Sequence, residues 1–226
     1  MRMLRKGMLF GLIILIAGME LGFAQQVEDG FYVGGRWGLS TLATPTERDR
    51  PGAGLLAYDR SSQTGSLFLG HQWKAAPQVF IGAELGWTDN GRATITYASA
   101  NEYEFKSTQL DLLGNATVIL GRGISAFAKA GMGRVRQEYH NSKYVSGTPD
   151  LDSQWTRDLP VAAAGLSFAV TGHLNFFAEV RRTFGDRTDL VSEALTPSNP
   201  TPPPYRDILT SVARVDVLSL GLSWSF

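Results

Sequence analysis

"LSLGLSWSF", Leu218 to Phe226, sets a large apolar side chain at every second position, with Ser or Gly at the positions between. A period of two is the mark of a strand with two unlike faces. The same alternation, rich in aromatic, β-branched and Gly residues, recurs upstream and predicts eight strands, at about 30–40, 64–73, 78–88, 108–120, 124–137, 158–170, 174–184 and 212–226. No stretch after the first two dozen residues approaches a membrane-spanning apolar helix, which needs about 20 residues.

The joins between these strands alternate in length. "KAAP" (Lys74 to Pro77), "GRG" (Gly121 to Gly123) and "TGH" (Thr171 to His173) are tight, whereas the other four joins are polar segments of roughly 20 residues, well above the usual loop length. "TITYASANEYEF" (Thr94 to Phe105) keeps alternating and predicts that the third and fourth strands run on as a hairpin beyond the wall. An even-stranded meander of this kind predicts an all-β, eight-stranded antiparallel up-and-down barrel, with the long joins at one end and both termini at the other.

Alternation alone does not orient a barrel, because a soluble barrel also alternates, with its apolar side inside. The polar face decides. It carries Gly34, Gly38, Gly70, Gly82, Gly86, Gly131, Gly133, Gly165 and Gly221, together with Arg36, Glu84, Asp111, Lys129, Glu179 and Arg181. Gly has no purpose on a water-facing exterior, whereas in a narrow lumen it leaves room for long charged side chains. The three cations and three anions balance, as buried charges must. The apolar face, with Trp37, Leu67, Trp87, Leu112, Leu166 and Val180 among its members, then meets lipid, which predicts a transmembrane barrel. The six charges read as a structural ion-pair network; the alternative is a narrow ion path.

Residues 1–24 read as a secretory signal peptide: Arg2, Arg5 and Lys6, then the apolar run Met8 to Met19, then Gly22-Phe23-Ala24 as a cleavage site. The barrel domain is expected over residues 25–226. Of the 21 Lys and Arg and 21 Asp and Glu in the chain, 18 and 20 remain in that domain, which argues against nucleic acid as a partner. With no Cys there is no disulfide framework, and the fold closes by hydrogen bonding and packing.

"GFYVGGRWGLS" (Gly30 to Ser40), "SLFLGHQW" (Ser66 to Trp73), "VFIGAELGW" (Val79 to Trp87), "AFAKAGMG" (Ala126 to Gly133), "NFFAEVRRTFG" (Asn175 to Gly185) and the closing "LSLGLSWSF" resemble the small outer-membrane β-barrels of the OmpA-like and opacity-protein-like family. The resemblance implies a location in the outer membrane and roles ranging from structural anchor to adhesin, with a few enzymes. It also implies that Trp224 and Phe226 carry the signal read by the barrel-assembly machinery. His71 stands where such strands often carry Tyr, and no cell-wall-binding domain is expected.

The remaining motifs are weaker. His71, His140 and His173 show no metal-ligand spacing, and no metal or other cofactor is expected. "YHNSKY" (Tyr139 to Tyr144) resembles the His/Ser pair of lipid A deacylases, with His140 as base, Ser142 as nucleophile and Asp150 or Asp152 to orient the base. The neighbouring sequence departs from those enzymes, and the expectation is a protein without catalytic residues. Lys106, Arg134, Arg136, Arg182 and Arg214 share the outward face near the long-join end. A cation there costs close to zero, against about 2–4 kcal/mol at the bilayer midplane. These five are candidates to meet lipopolysaccharide phosphates; the alternative is that they are simply solvated. Tyr97, Tyr103, Tyr139, Tyr144, Trp155 and Tyr205 are candidate anchors for an extracellular ligand.

Overall fold

In the computed structural model, residues 29–42, 55–59, 61–97, 102–141, 153–185, 190–191, 208–209 and 212–226 are described. Eight long strands form the wall: β1 (Gly30–Leu42), β2 (Ser61–Ala76), β3 (Val79–Tyr97), β4 (Glu102–Gly121), β5 (Ile124–Asn141), β6 (Ser153–Ala169), β7 (Leu174–Thr183) and β8 (Val215–Ser225). Each pairs antiparallel with the next, and β8 returns to β1 with Arg36 opposite Gly221 and Val33 opposite Trp224. The barrel is closed. Closure is what lets strands enter lipid, since an open edge would leave backbone donors and acceptors unpaired there.

One end is tight. Arg122 (φ 53°) and Gly123 (φ 74°) turn β4 into β5 with both central residues at positive φ, the geometry whose twist matches a two-residue hairpin. Thr171 to His173 turn β6 into β7, the Leu174 N–H bonding to Thr171 Oγ1. The start of β1 and the end of β8 meet here as well, the Phe226 N–H bonding to the Phe31 carbonyl at 2.9 Å.

The other end is uneven. β3 and β4 stay paired to Thr96 and Glu102, so the expected 20-residue join is mostly a hairpin, with residues 98–101 outside the described set. A bulge at Asn90–Gly91 bends this hairpin, Gly91 taking φ 78°. β5 and β6 rise beside it, and Leu55–Asp59 pairs on its other flank. By contrast β7 stops at Thr183. The Phe184 N–H donates to the Pro160 carbonyl at 2.9 Å, but Pro160 has no N–H to return, and the β6–β7 ladder ends there. Expected to begin at 212, the last strand begins instead at Val215, and residues 212–214 lead into it across the lumen mouth.

The exterior is apolar in a band. Phe31, Val33, Trp37 and Leu39 on β1 are all at least 44% exposed, as are Leu218, Leu220, Leu222 and Trp224 on β8. Eight residue steps from Phe31 to Leu39, at ~3.3 Å each and a strand tilt of about 40°, give a height of about 20 Å, close to an outer-membrane hydrocarbon band. No helix among the described residues is long and apolar enough to cross a membrane, a test that does not bear on strands.

Candidate functional site

The lumen is filled in layers. In its middle, Arg36 from β1, Glu84 from β3, Asp111 from β4, Lys129 from β5 and Glu179 and Arg181 from β7 converge, with side chains no more than 8% exposed. Arg36 Nη1 lies 2.8 Å from Glu179 Oε1 and 3.6 Å from Glu84 Oε1. Lys129 Nζ bridges the same two acids, 2.7 Å from Glu84 Oε2 and 3.1 Å from Glu179 Oε2. Arg181 reaches Glu179 through Nε at 3.2 Å and Asp111 through Nη1. All six sequence-selected lumen charges therefore stand in one cluster, three of each sign. Dispersing positive and negative groups so that each anion meets a cation offsets the several kcal/mol that each ion loses on leaving water.

Neighbours complete the layer. The Tyr32 hydroxyl donates to Glu84 Oε2 at 3.1 Å and accepts from Asn115 Nδ2 at 2.8 Å. Gln109 donates to Asp111, and its Oε1 accepts from Thr183 Oγ1 at 3.0 Å. A Cβ on Gly133 would fall on Asp111 Oδ1 and Gln109 Nε2, so only Gly leaves these two their places. Beneath Lys129 lie three rings, Phe68, Phe127 and Phe177, with Nζ 5.3, 5.0 and 5.9 Å from their centroids. A desolvated cation over aromatic faces gains about 2 kcal/mol. Sequence reading assigned large apolar residues outward and missed this trio. Strand parity carried the signal, since Phe127 and Phe177 each precede a lumen charge by two positions.

Toward the tight end a small vestibule of about 80 Å³ remains, lined by Tyr32, Asn115, Ser167, Asn175 and Ser223 among others. Toward the uneven end the filling turns apolar. Val135, Leu159 and Val212 pack together, each at most 5% exposed, with Leu42 and Val215 also buried. Gln137 fastens this cap: its Oε1 accepts from the Ala213 N–H at 3.0 Å and its Nε2 donates to the Ala213 carbonyl at 3.3 Å. Among the described residues the lumen is therefore filled by two layers, ions and then hydrocarbon.

A closed eight-stranded wall, an apolar exterior and a charged interior meet in a match of residues 26–188 to the OmpA-like transmembrane domain model. The chain belongs to that family. Among solved structures, this OmpA-like barrel is similar to Ail, the attachment invasion locus protein of Yersinia pestis, at 11% identity over 88% of this chain and 100% of that one, with a TM-score of 0.51. It also resembles Neisserial surface protein A (14% identity, 89% and 100% covered, TM-score 0.49) and OprG of Pseudomonas aeruginosa (12%, 89% and 98%, TM-score 0.47). At 11% identity the likeness to Ail shows the fold alone. Comparison with curated protein sequences finds no match.

The outward cations of this OmpA-like barrel are placed among acids. Arg182 Nε lies 2.5 Å and Arg214 Nε 3.3 Å from Asp216, and Arg136 Nη2 lies 2.7 Å from Glu138. In register, Lys106 stands opposite Glu138 and Arg134 opposite Asp158. At the tight end His173 stacks on Trp224 at 5.5 Å, while Phe226 is 69% exposed. His140 is exposed near the outer end of β5, and Ser142, Asp150 and Asp152, the other members of the deacylase-like set, lie outside the described residues. So do Tyr144 and Tyr205 and residues 1–28; Trp155 is 39% exposed on the outer part of β6.

Proposed function

We propose that this OmpA-like outer-membrane barrel is a non-conducting, non-catalytic structural protein whose outer extension meets partners outside the cell. The observation that carries the reading is the unequal build of its two parts. The described lumen is packed with paired charges and an apolar cap, while the outer parts of β3 to β6 stand clear of the lipid band with both faces of Gln154 to Asp158 exposed. A plugged tube supports an anchor, and strands raised above the membrane support a contact surface.

The test compares cells displaying the full chain with cells displaying a variant in which residues 93–105 are replaced by a two-residue turn, both probed against immobilised extracellular-matrix proteins and polysaccharides. The reading expects binding by the full chain and its loss in the trimmed variant, with heat-modifiable gel migration retained by both. Equal binding by the two would overturn it.

The outward cations fit lipopolysaccharide phosphates as the lipid partner of this surface. Each has an acidic neighbour, so the attraction is weak and screened by salt. Residues 1–24 are proposed to direct export and to be removed, and Trp224 and Phe226 to be read by the barrel-assembly machinery. Phe226→Ser is then expected to lower the heat-modifiable fraction in the membrane while leaving export intact.

A further inference from the structure

The lipid-facing wall is not smooth. A trough of about 890 Å³ crosses its outside from Phe176 on β7, past Leu222 on β8 and Gly35 on β1, to Gly65 on β2 and Asp89 on β3. Two outward glycines form its floor. A Cβ on Gly65 would meet nothing within 4 Å, so the space over it is open, and one on Gly35 would make only ordinary contacts, at 3.5 and 3.6 Å. Trp37, Leu67 and Trp87, each about half exposed, form its banks. Register ties these together: Gly35 stands opposite Leu67 and Leu222, and Trp37 opposite Gly65.

The trough has a direction. Phe176 lies near the tight end of the barrel and Asp89 at the outer limit of the apolar band, so its course climbs across five strands, ~19 Å at ~4.8 Å per strand spacing. Its outward-facing side chains are apolar along this length except Gln63 and Asp89 at the upper end; Arg36, Thr64 and Ser66, which also border it, are buried and belong by strand parity to the lumen face. Asp89 Oδ1 accepts one hydrogen bond, from the Gly91 N–H at 2.9 Å. A groove inside the hydrocarbon band is bathed by acyl chains, and a polar end only at the outer interface fits an amphiphile lying chain-down in the outer leaflet. A carboxylate at that end disfavours a phosphate and favours hydroxyl or amide N–H donors.

We propose that this trough is a seat for one acyl chain of an outer-leaflet lipid whose chain linkage carries hydroxyl or amide donors, held by Asp89 and Gln63. The seat lies on the β7–β8–β1–β2–β3 side, apart from Lys106, Arg134 and Arg136 on β4 and β5, and it does not depend on what the outer extension binds.

The test uses the full chain, refolded in detergent micelles and shown to be heat-modifiable. It is mixed with equal amounts of a synthetic lipid carrying an amide-linked 3-hydroxyacyl chain and of phosphatidylcholine with matched chains, whose headgroup has no hydrogen-bond donor, and retained adducts are read by native mass spectrometry. The expected result is a single retained hydroxyacyl-amide lipid, favoured roughly tenfold, which is about 1.4 kcal/mol. Gly65→Leu, which fills the open floor, is expected to abolish retention, and Asp89→Leu to remove the preference while keeping the chain. Should Gly65→Leu fail to fold, Gly35→Ala narrows the same floor and is expected to weaken retention severalfold. Equal retention of both lipids by the wild type, or full retention by the floor variants, would overturn the proposal.

Discussion

In the middle of the lumen six charged side chains from five strands meet, each almost fully buried. A few residues outward the same tube is filled by Leu42, Val135, Leu159 and Val212. The two layers fill one tube by different means. The charge layer is self-consistent only as a set, because Glu84 and Glu179 each meet all three cations, Asp111 meets Arg181, and the signs cancel. The apolar layer is made of contacts that add one by one. Removing a single member is therefore expected to be far more costly in the first layer than in the second.

Glu179→Gln tests this most severely. Glu179 touches Arg36, Lys129 and Arg181, and its neutralisation leaves buried cations in excess. A loss of about 3–5 kcal/mol is expected by urea unfolding in vesicles. The double variant Glu84→Gln with Lys129→Met restores the balance of signs and should lie closer to wild type than Glu84→Gln alone; a strictly additive double would show that the six do not act as a set. In the apolar layer, Leu159→Ala should cost about 2–3 kcal/mol, at the low end for a buried Leu because the cap borders the outer rim.

Gln137→Leu removes two hydrogen bonds to Ala213 and leaves that backbone unpaired in a buried place, for about 1–3 kcal/mol. The smallest effect is expected outside the tube. Arg182→Gln breaks the exposed pair with Asp216 and should cost under about 1 kcal/mol, fading as salt is raised. An exterior loss equal to that of Glu179→Gln would erase the distinction between buried and exposed pairs.

The two layers also differ in how far the sequence reveals them. Arg36, Glu84, Asp111, Lys129, Glu179 and Arg181 stand out because strand parity puts them with the glycines and their signs sum to zero. Both are properties of the linear pattern. Phe68, Phe127 and Phe177 obey the same parity, yet a ring reads as lipid-facing until a cation is known to lie over it. The cap was less legible still. Val212 and Ala213 continue the alternation of the last strand and read as part of it, and only the Gln137 amide, 76 residues away, turns them inward across the mouth. The early end of β7 has a local cause, Pro160, whose effect shows only once the strand opposite it is known. The trough likewise needs Gly35 and Gly65, on different strands, to be set side by side by register.

Both layers are expected to seal the lumen independently. Single-channel recording in a planar bilayer, on the wild type and on Glu179→Gln, measures this directly. The expected record is flat for both proteins, because the apolar cap still closes the tube when the charge layer is perturbed. Stepwise, ohmic openings in the wild type, or their appearance on neutralising Glu179 alone, would contradict it.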